Sequence, residues 1–277
     1  MRIAVLPNAR ASGVREALPR VCDALRKLGA EVLLPDEGDG FPSPNADALI
    51  RKSAVAVALG GDGTIIHTAK RAAICGRAVL GINCGRLGFM AGLEADELTK
   101  LPALIRGEYT VEKRMLLEIA VRSDTGKAAR YCALNEAVVS RGSLSRMIEL
   151  EVANRGEQVA RYRADGVIVA TPTGSTAYSL SAGGPVIDPA MRCLLMTPIC
   201  PHSLYTRSYL FDENAALSIR PAGNPDASVY LTVDGEEAVP LGRGEEVLLS
   251  RAETEACLIM LGRKPFYEVL NRKLMNR

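Results

Sequence analysis

The sequence has few of the residues from which zinc centres, disulfide frameworks and aromatic binding surfaces are built. Its 277 residues include two histidines and no tryptophan, and aromatic side chains make up 4% of the chain. The seven cysteines are odd in number and form no CxxC pair, which argues against a zinc ribbon and a disulfide framework. We therefore expect reduced, mostly buried thiols that behave as small hydrophobic side chains.

A long apolar run and a charge imbalance are also missing. No stretch approaches the ~20 apolar residues of a membrane span, and the apolar run near the N-terminus is too short for a signal peptide. The formal net charge is +2, with acids and bases spread along the chain, so we expect no nucleic-acid and no membrane partner. These features predict a cytoplasmic protein with a small polar substrate. A hydrophobic content of 48% suffices for one large core or two ordinary ones.

Several familiar catalytic motifs are absent as well. The chain has no GxGxxG, no GxxxxGK[ST] and no kinase-type HRD or DFG. If phosphates bind, they therefore do so without a Walker lysine. The absence of HExxH and GxSxG leaves zinc hydrolysis and a serine nucleophile poorly supported.

The first hundred residues alternate apolar strands with helical segments. Helical spacing is seen in Val21, Leu25 and Leu28, which precede a predicted C-cap at Gly29, and again in the segment that follows residue 63. This βαβ order predicts a parallel sheet with helices on both faces. The predicted strands are residues 2–6, 31–34, 54–59 and 78–82.

Beyond about residue 110 the pattern changes to short alternating segments separated by turn signals, which predicts an all-β second domain. Near the end, residues 257–261 form one more apolar strand, and residues 264–274 read as a helix with a basic last turn. The predicted strands of the second domain are residues 116–121, 131–139, 147–152 and 229–233, and the turns are 123–126, 154–156 and 234–235.

The first candidate site is the segment Gly60-Gly61-Asp62-Gly63-Thr64, between a buried strand and a helix. Ligands of open α/β sheets bind beyond the carboxyl ends of the strands, and a helix N-terminus offers N–H groups to phosphates. The alternative is a tight turn in which Asp62 is an ordinary N-cap. Three glycines around one acid, directly after a buried strand, favour a binding site.

The second candidate is Asp165-Gly166 followed by an apolar strand and the segment 171–184, which is rich in hydroxyls and glycine. Such a segment suits hydrogen bonding to ribose and phosphate oxygens, with Tyr178 available to stack on a base. A flexible linker is the alternative, but it would not need Pro172, Tyr178 and Leu180.

The third candidate is Asn135-Glu136, inside an otherwise apolar strand. A carboxylate there is costly to bury unless it is paired or bound to a ligand. Strand alternation alone leaves a solvent-facing Glu136 equally open, although the neighbouring Asn135 favours a polar pocket.

Taken together, GGDGT at 60–64, LNE at 134–136, DG at 165–166 and TPTGSTAYSLSAGGP at 171–185 resemble the NAD kinase family in order and spacing. The likeness extends from about residue 54 to 250, and TPTGSTAY is far more specific than GGDG, which lipid kinases and phosphofructokinases share. Supporting matches are GRLGF at 85–89, RADG at 163–166, PICPHSL at 198–204 and VDG at 233–235.

The resemblance implies an α/β plus all-β fold in two domains, with the active site between them. An N-terminal Rossmann-like α/β domain would span residues 1–108, with segment 256–277 returning to it. A C-terminal β-rich domain, a β-sandwich that binds NAD, would span 109–255.

The implied activity is transfer of the γ-phosphoryl group of ATP, or of another donor such as polyphosphate, to the 2′-hydroxyl of the adenosine ribose of NAD, forming NADP. Mg²⁺ would accompany ATP without a dedicated protein metal site, and the protein would be a homo-oligomer, a dimer or a tetramer. Two rivals stay open: a non-catalytic NAD(H)-binding sensor, and a lipid or sugar kinase that shares the GGDG loop.

Residue by residue, the resemblance makes Asp62 the catalytic base and puts Gly63 against the nucleotide. Asn135 and Glu136 would bind the nicotinamide-side ribose, and Asp165 the nicotinamide amide. The adenosine half of NAD would meet Thr173, Thr176, Ala177, Tyr178, Ser179, Leu180 and Ser181, with Phe89 near the adenine. Five further positions match less certainly, and for them an ordinary surface or core role is an equal alternative: His67, Arg146, Arg163, Cys200 and Glu236.

Overall fold

A computed structural model describes the chain apart from residues 12, 37–40, 86–87, 124–127, 143–146, 204–205, 224–226, 243, 263–264 and 276–277. Three sequence predictions fall on the excluded positions: the candidate contact Arg146, most of the turn at 123–126, and the helix start at Lys264. These lie outside the described residues. The chain divides into two compact units, Met1–Arg114 with Thr254–Arg277 and Met115–Glu253. The domain boundaries predicted from the sequence lie between residues 108 and 109 and between residues 255 and 256, within a few residues of the boundaries of these units.

The elements are given in chain order. The helices are α1 (Val14–Lys27), α2 (Ala46–Lys52), α3 (Asp62–Ile74), α4 (Leu101–Arg106), α5 (Tyr178–Ser181) and α6 (Phe266–Met275), with 3₁₀ turns at Leu98–Lys100 and Thr173–Thr176. The strands are β1 (Arg2–Pro7), β2 (Glu31–Leu33), β3 (Val55–Gly60), β4 (Ala78–Asn83), β5 (Leu93–Glu94), β6 (Thr110–Arg122), β7 (Ala128–Ala133), β8 (Glu136–Arg141), β9 (Ile148–Asn154), β10 (Glu157–Ala164), β11 (Gly166–Ala170), β12 (Cys193–Ile199), β13 (Tyr209–Asp212), β14 (Ala216–Ala222), β15 (Val229–Val233), β16 (Val239–Leu241) and β17 (Glu246–Met260).

The first unit is built around a parallel sheet. β1 pairs with β2 and β3, and β4 pairs with β3 and β5. Leu258 of β17 adds a parallel partner beside Val79 of β4. Every residue of β3 is buried, as in a strand covered on both faces. Ligands of such sheets bind beyond the carboxyl ends of the strands, and β3 ends at Gly60.

Helix α1 of the first unit buries one apolar stripe. In α1 the buried residues Val14, Ala17, Val21 and Leu25 recur at helical spacing. Gly29 follows this helix with φ of +79°, as the predicted C-cap requires. Among the described residues, no helix is long and apolar enough to span a membrane.

The second unit consists of two antiparallel sheets. One has the strand order β13-β12-β11-β8-β15-β16, and the other contains β10, β9, β14 and the start of β17. Alternate residues of both sheets share one core, which includes Val139 and Val167 from the first sheet and Leu150 and Leu217 from the second. This arrangement is a β-sandwich.

The opposite face of the six-stranded sheet carries a second, smaller core. Ile168 and Ala170 of β11 pack there with Leu195 of β12 and with Ile187. The chain between β11 and Ile187 contains the 3₁₀ turn Thr173–Thr176 and helix α5. The sheet therefore provides a rigid support for the hydroxyl-rich segment.

The predicted fold class is confirmed, with three corrections in detail. The predicted strand at 131–139 is two strands, because β7 ends at Ala133 and β8 begins at Glu136. The hydroxyl-rich segment at 171–184 is not an irregular loop but contains helical turns. All seven cysteines are free thiols, but they are not mostly buried: Cys22 and Cys193 are buried, Cys200 is exposed, and the others are half-buried.

Candidate active site

The GGDGT segment connects β3 directly to α3. Gly61 is the N-cap of the helix, with extended backbone and no side-chain capping bond, and Asp62 is the first helical residue. The sequence alternative in which Asp62 caps the helix is therefore wrong. The Asp62 carboxylate makes no capping hydrogen bond to the first turn of α3.

The Asp62 carboxylate is held by the loop that follows β4. The Phe89 N–H donates to its Oδ2 over 3.0 Å, and the Met90 N–H donates to its Oδ1 over 3.1 Å. A third donor, Lys273 Nζ, lies 3.3 Å from Oδ2. The side chain keeps 28% exposure, so the acid is fixed in place but remains reachable.

Gly88 is required by this arrangement. A Cβ atom at Gly88 would overlap Asp62 Oδ1, so any side chain there would displace the carboxylate. Gly88 is the second glycine of the GRLGF motif, and the lack of a side chain there makes room for Asp62.

Gly61 and Gly63 have a different explanation. Neither has a left-handed backbone, and a Cβ atom on either would meet nothing within 4 Å in the part of the chain that the structure describes. Turn geometry and protein packing therefore do not require glycine at these positions. Open space beside the first turn of α3 suits close approach by a phosphate to the helix N-terminus.

Two further predicted residues of the first unit lie near this loop or on α3. The centroid of the half-buried Phe89 ring lies 6.1 Å from that of the Phe266 ring. Lys273 Nζ lies 4.1 Å from the centroid of the Phe89 ring. His67 lies within α3 and meets Phe41 edge to face at 5.2 Å.

In the second unit, the break between β7 and β8 is made by Asp234. One carboxylate accepts three backbone N–H groups: Leu134 at Oδ2 over 2.9 Å, and Asn135 and Glu136 at Oδ1 over 2.8 and 3.0 Å. Asp234 itself has φ of +48°, a conformation that Asp tolerates better than most residues. Sequence reasoning missed this role, although the VDG match marked the position.

Glu136 is buried, with 6% exposure, so the solvent-facing alternative is wrong. Burial raises the pKa of its carboxyl group to about 8, helped by the charge of Asp234 and opposed by a hydrogen bond from the Tyr178 backbone. Within the described part of the chain its Oε2 has no hydrogen-bond partner. Buried polar atoms in folded proteins normally have a hydrogen-bond partner. A ribose hydroxyl is a donor that could bind this oxygen.

The hydroxyl-rich segment is folded, so the linker alternative is also wrong. Several of its hydroxyls serve the protein itself: Ser175 Oγ accepts the Ile187 N–H over 3.0 Å, and Ser179 Oγ lies 2.8 Å from Thr197 Oγ1. Thr176 Oγ1 donates to the Thr173 carbonyl over 3.3 Å. Ser179 is thus directed into the core.

Other residues of the same segment are available to a ligand. Thr173 Oγ1 is buried without a hydrogen-bond partner among the described residues, and the Tyr178 side chain is 45% exposed. Gly174 packs so closely on Asn135 that a Cβ atom would overlap the Asn135 carbonyl. Ala177 and Leu180 are half-buried and Ser181 is exposed.

Asp165 is not brought next to Glu136. The register of β11 and β8 pairs Gly166 with Ser140 and Ala170 with Glu136, so the two acids lie at opposite ends of the strand pair. Asp165 is five residues from Ala170, the partner of Glu136, so at roughly 3.3 Å per residue the separation is about 16–17 Å.

Asp165 is instead ion-paired with Arg141, whose Nε lies 2.6 Å from Oδ1. This hydrogen bond raises the pKa of Arg141. Sequence reasoning missed Arg141, because only the strand register puts it beside Asp165. Cys200 is exposed and has φ of +45°. Of the less certain matches, Arg163 and Glu236 are exposed.

Known proteins match this chain both in sequence and in structure. The sequence matches the ATP-NAD kinase N-terminal domain over residues 41–109 and the ATP-NAD kinase C-terminal domain over residues 134–261. It is 50% identical to an NAD kinase of Symbiobacterium thermophilum, over 98% of this chain and 92% of the relative.

Two solved structures are similar over nearly the full length. Yeast NADH kinase complexed with NADH aligns with a TM-score of 0.85 and 26% identity, over 99% of this chain and 87% of that chain. An NAD kinase from Archaeoglobus fulgidus in complex with ATP aligns with a TM-score of 0.78 and 26% identity, over 100% of both chains.

Proposed function

The chain belongs to the NAD kinase family, and from this premise we propose that it transfers the γ-phosphoryl group of ATP to the 2′-hydroxyl of the adenosine ribose of NAD, forming NADP. The observation that carries the proposal is the setting of Asp62. Its carboxylate is fixed by the 88–90 loop at the N-terminus of α3, serves no capping role, and remains partly exposed.

In the proposed reaction the 2′-oxygen forms a bond to the γ-phosphorus, and the bond from that phosphorus to the β,γ-bridging oxygen breaks. ADP leaves with the electron pair, and the hydroxyl proton passes to Asp62. Positioning and charge neutralisation supply most of the rate enhancement in such transfers. The N-terminus of α3, beside Gly61 and Gly63, is the proposed contact for donor phosphates.

Mg²⁺ is proposed to enter as the ATP complex. The described residues contain no group of three or more His, Cys, Asp or Glu side chains that could hold a metal ion. Phosphate oxygens and water would then supply its ligands, as Mg²⁺ prefers.

NAD is proposed to bind through the second unit. Glu136 Oε2 and Thr173 Oγ1 have no hydrogen-bond partner among the described residues. Glu136 and the neighbouring Asn135 would hold a ribose, and Thr173 and the exposed ring of Tyr178 would contact the adenosine half. The proposed role of Asp165 at the nicotinamide amide needs a separate test, because the acid lies at the other end of β11.

The direct test is incubation of the purified protein with NAD, ATP and Mg²⁺, with NADP measured by an NADP-specific dehydrogenase. NADP should form only when all three are present. Parallel reactions with polyphosphate in place of ATP, and with NADH in place of NAD, identify the donor and the acceptor. Measurable NAD binding without NADP formation would contradict the proposal and favour a sensor.

Homo-oligomeric assembly and cytoplasmic location belong to the same proposal. Light scattering coupled to size exclusion distinguishes a monomer of 29.6 kDa from a dimer or tetramer. A monomer at assay concentration would overturn the assembly part and leave the proposed chemistry untouched.

A further inference from the structure

Lys273 contacts the proposed catalytic base from the far end of the chain. Its Nζ lies 3.3 Å from Asp62 Oδ2, across 211 positions of sequence. The same ammonium lies 4.1 Å from the centroid of the Phe89 ring, within the range of a cation–π interaction. Lys273 lies outside both matched family ranges, 41–109 and 134–261, and the sequence marked it only as part of a basic last turn.

The fold directs this side chain inward. Phe266, Leu270 and Lys273 recur at i, i+4 and i+7 and so share one face of α6. Phe266 packs near Phe89, and Leu270 is buried at 7% exposure. The neighbouring Arg272 has the opposite environment: it is 65% exposed and pairs along the helix with Glu268. Lys273 is therefore set apart from an ordinary surface cation.

With this contact, the two Asp62 carboxylate oxygens accept different numbers of hydrogen bonds. Oδ2 receives both the Phe89 N–H and the Lys273 ammonium, whereas Oδ1 receives the Met90 N–H. A carboxylate has about two acceptor directions on each oxygen. Within the described part of the chain, the open direction is therefore on Oδ1.

We propose that Lys273 is a positioning residue for Asp62, which fixes Oδ2 so that Oδ1 is presented to the 2′-hydroxyl of NAD. This inference rests on the proposed function, because it assigns a partner to the base of that reaction. Lys273 would act through Asp62 and would contact neither NAD nor the phosphate donor.

The test is the Lys273→Met variant, which keeps the length and apolar stem of the side chain but removes the ammonium. We expect kcat to fall about 10- to 100-fold, the range for loss of a charge-assisted contact that orients a reacting group. The KM values for NAD and ATP should stay within about twofold, because no substrate contact is lost. Lys273→Arg, which keeps a cation, should retain most of kcat.

Arg272→Met is the matched control. It removes the same charge from the adjacent position of the same helix and should leave kcat and both KM values unchanged. Thermal unfolding of each variant shows whether α6 still docks. If Lys273→Met fails to fold, Lys273→Gln, which keeps a neutral donor, takes its place with the same expected loss in kcat.

A double-mutant cycle with Asp62→Asn distinguishes positioning of Asp62 by Lys273 from a direct contact of Lys273 with the phosphate donor. If Lys273 acts through Asp62, adding Lys273→Met to Asp62→Asn should lower kcat by less than about twofold further. A full additional loss, or a rise in the KM for ATP, would overturn the inference in favour of a donor contact. Unchanged or higher kcat in a folded Lys273→Met protein, beside an active wild type, would also overturn it. Absence of NADP formation by the wild type would instead defeat the proposed function.

Discussion

Replacing Glu136 by glutamine should stabilise the protein at alkaline pH and weaken its binding of NAD. Burial raises the pKa of Glu136 from 4.5 to about 8, so folding at neutral pH requires this carboxyl group to take up a proton. Glutamine has nearly the same shape and needs no proton. The variant therefore removes a folding penalty and, in the proposed site, a ribose contact.

The sign of the pH effect follows from proton linkage. Between pH 4.5 and about 8 the native state binds one more proton at Glu136 than the unfolded state does, so this residue lowers stability as pH rises through that window. At about 1.36 kcal/mol per pKa unit, the whole shift corresponds to roughly 4–5 kcal/mol above pH 8. Relaxation of the site and water penetration reduce such values, so we expect roughly 2–4 kcal/mol.

The assay is urea unfolding of wild type and Glu136→Gln at pH 5, 7 and 9, together with the KM for NAD. The free energy of unfolding should be similar at pH 5 and should favour the variant increasingly at pH 7 and 9, while the KM rises. Glu157→Gln, at an exposed position of β10, is the control and should show no pH-dependent difference. The buried-acid explanation would be refuted if the variant were less stable than wild type at every pH. It would also be refuted if the difference in the free energy of unfolding were the same at all three pH values.

Two further predictions concern packing and binding. Gly88→Ala should lower kcat by about 100-fold with little change in the KM for NAD, because its Cβ would displace Asp62. The control is Gly85→Ala in the same loop, where a Cβ meets no described residue within 4 Å, and this variant should be active. Equal activity of the two variants would contradict the assignment. Tyr178→Ala should raise the KM for NAD and leave kcat nearly level, because its contact exists in both the ground and transition states; a fall in kcat alone would move Tyr178 to the reacting centre.

Hydrophobic periodicity was sufficient to predict most of the first unit. The four predicted strands correspond to β1–β4, and the helical spacing found α1 and α3, because a buried parallel sheet leaves long apolar runs in the sequence. The predicted C-terminal helix is α6, which begins at Phe266.

What the sequence could not reveal depends on distant positions that meet in space. Leu134 and Asn135 look like part of one apolar strand, but their backbone N–H groups bind the Asp234 carboxylate, about a hundred residues later. Arg141 meets Asp165 through strand register, and Lys273 meets Asp62 through the docking of α6. Local patterns carry no information on such pairs, which is why all three partners were missed.

The central claim is that Asp62 is the base, and Asp62→Asn tests it most directly. Because both carboxylate oxygens accept backbone N–H groups, asparagine must set its NH₂ against one of them, at a cost of about 1–3 kcal/mol. Thermal unfolding and NAD binding must therefore be measured beside turnover. We predict a folded, NAD-binding variant whose NADP formation falls by about 10²–10⁴-fold, the usual effect of removing a general base. A folded variant with near wild-type turnover would contradict the assignment and reduce this carboxylate to an anchor for the 88–90 loop.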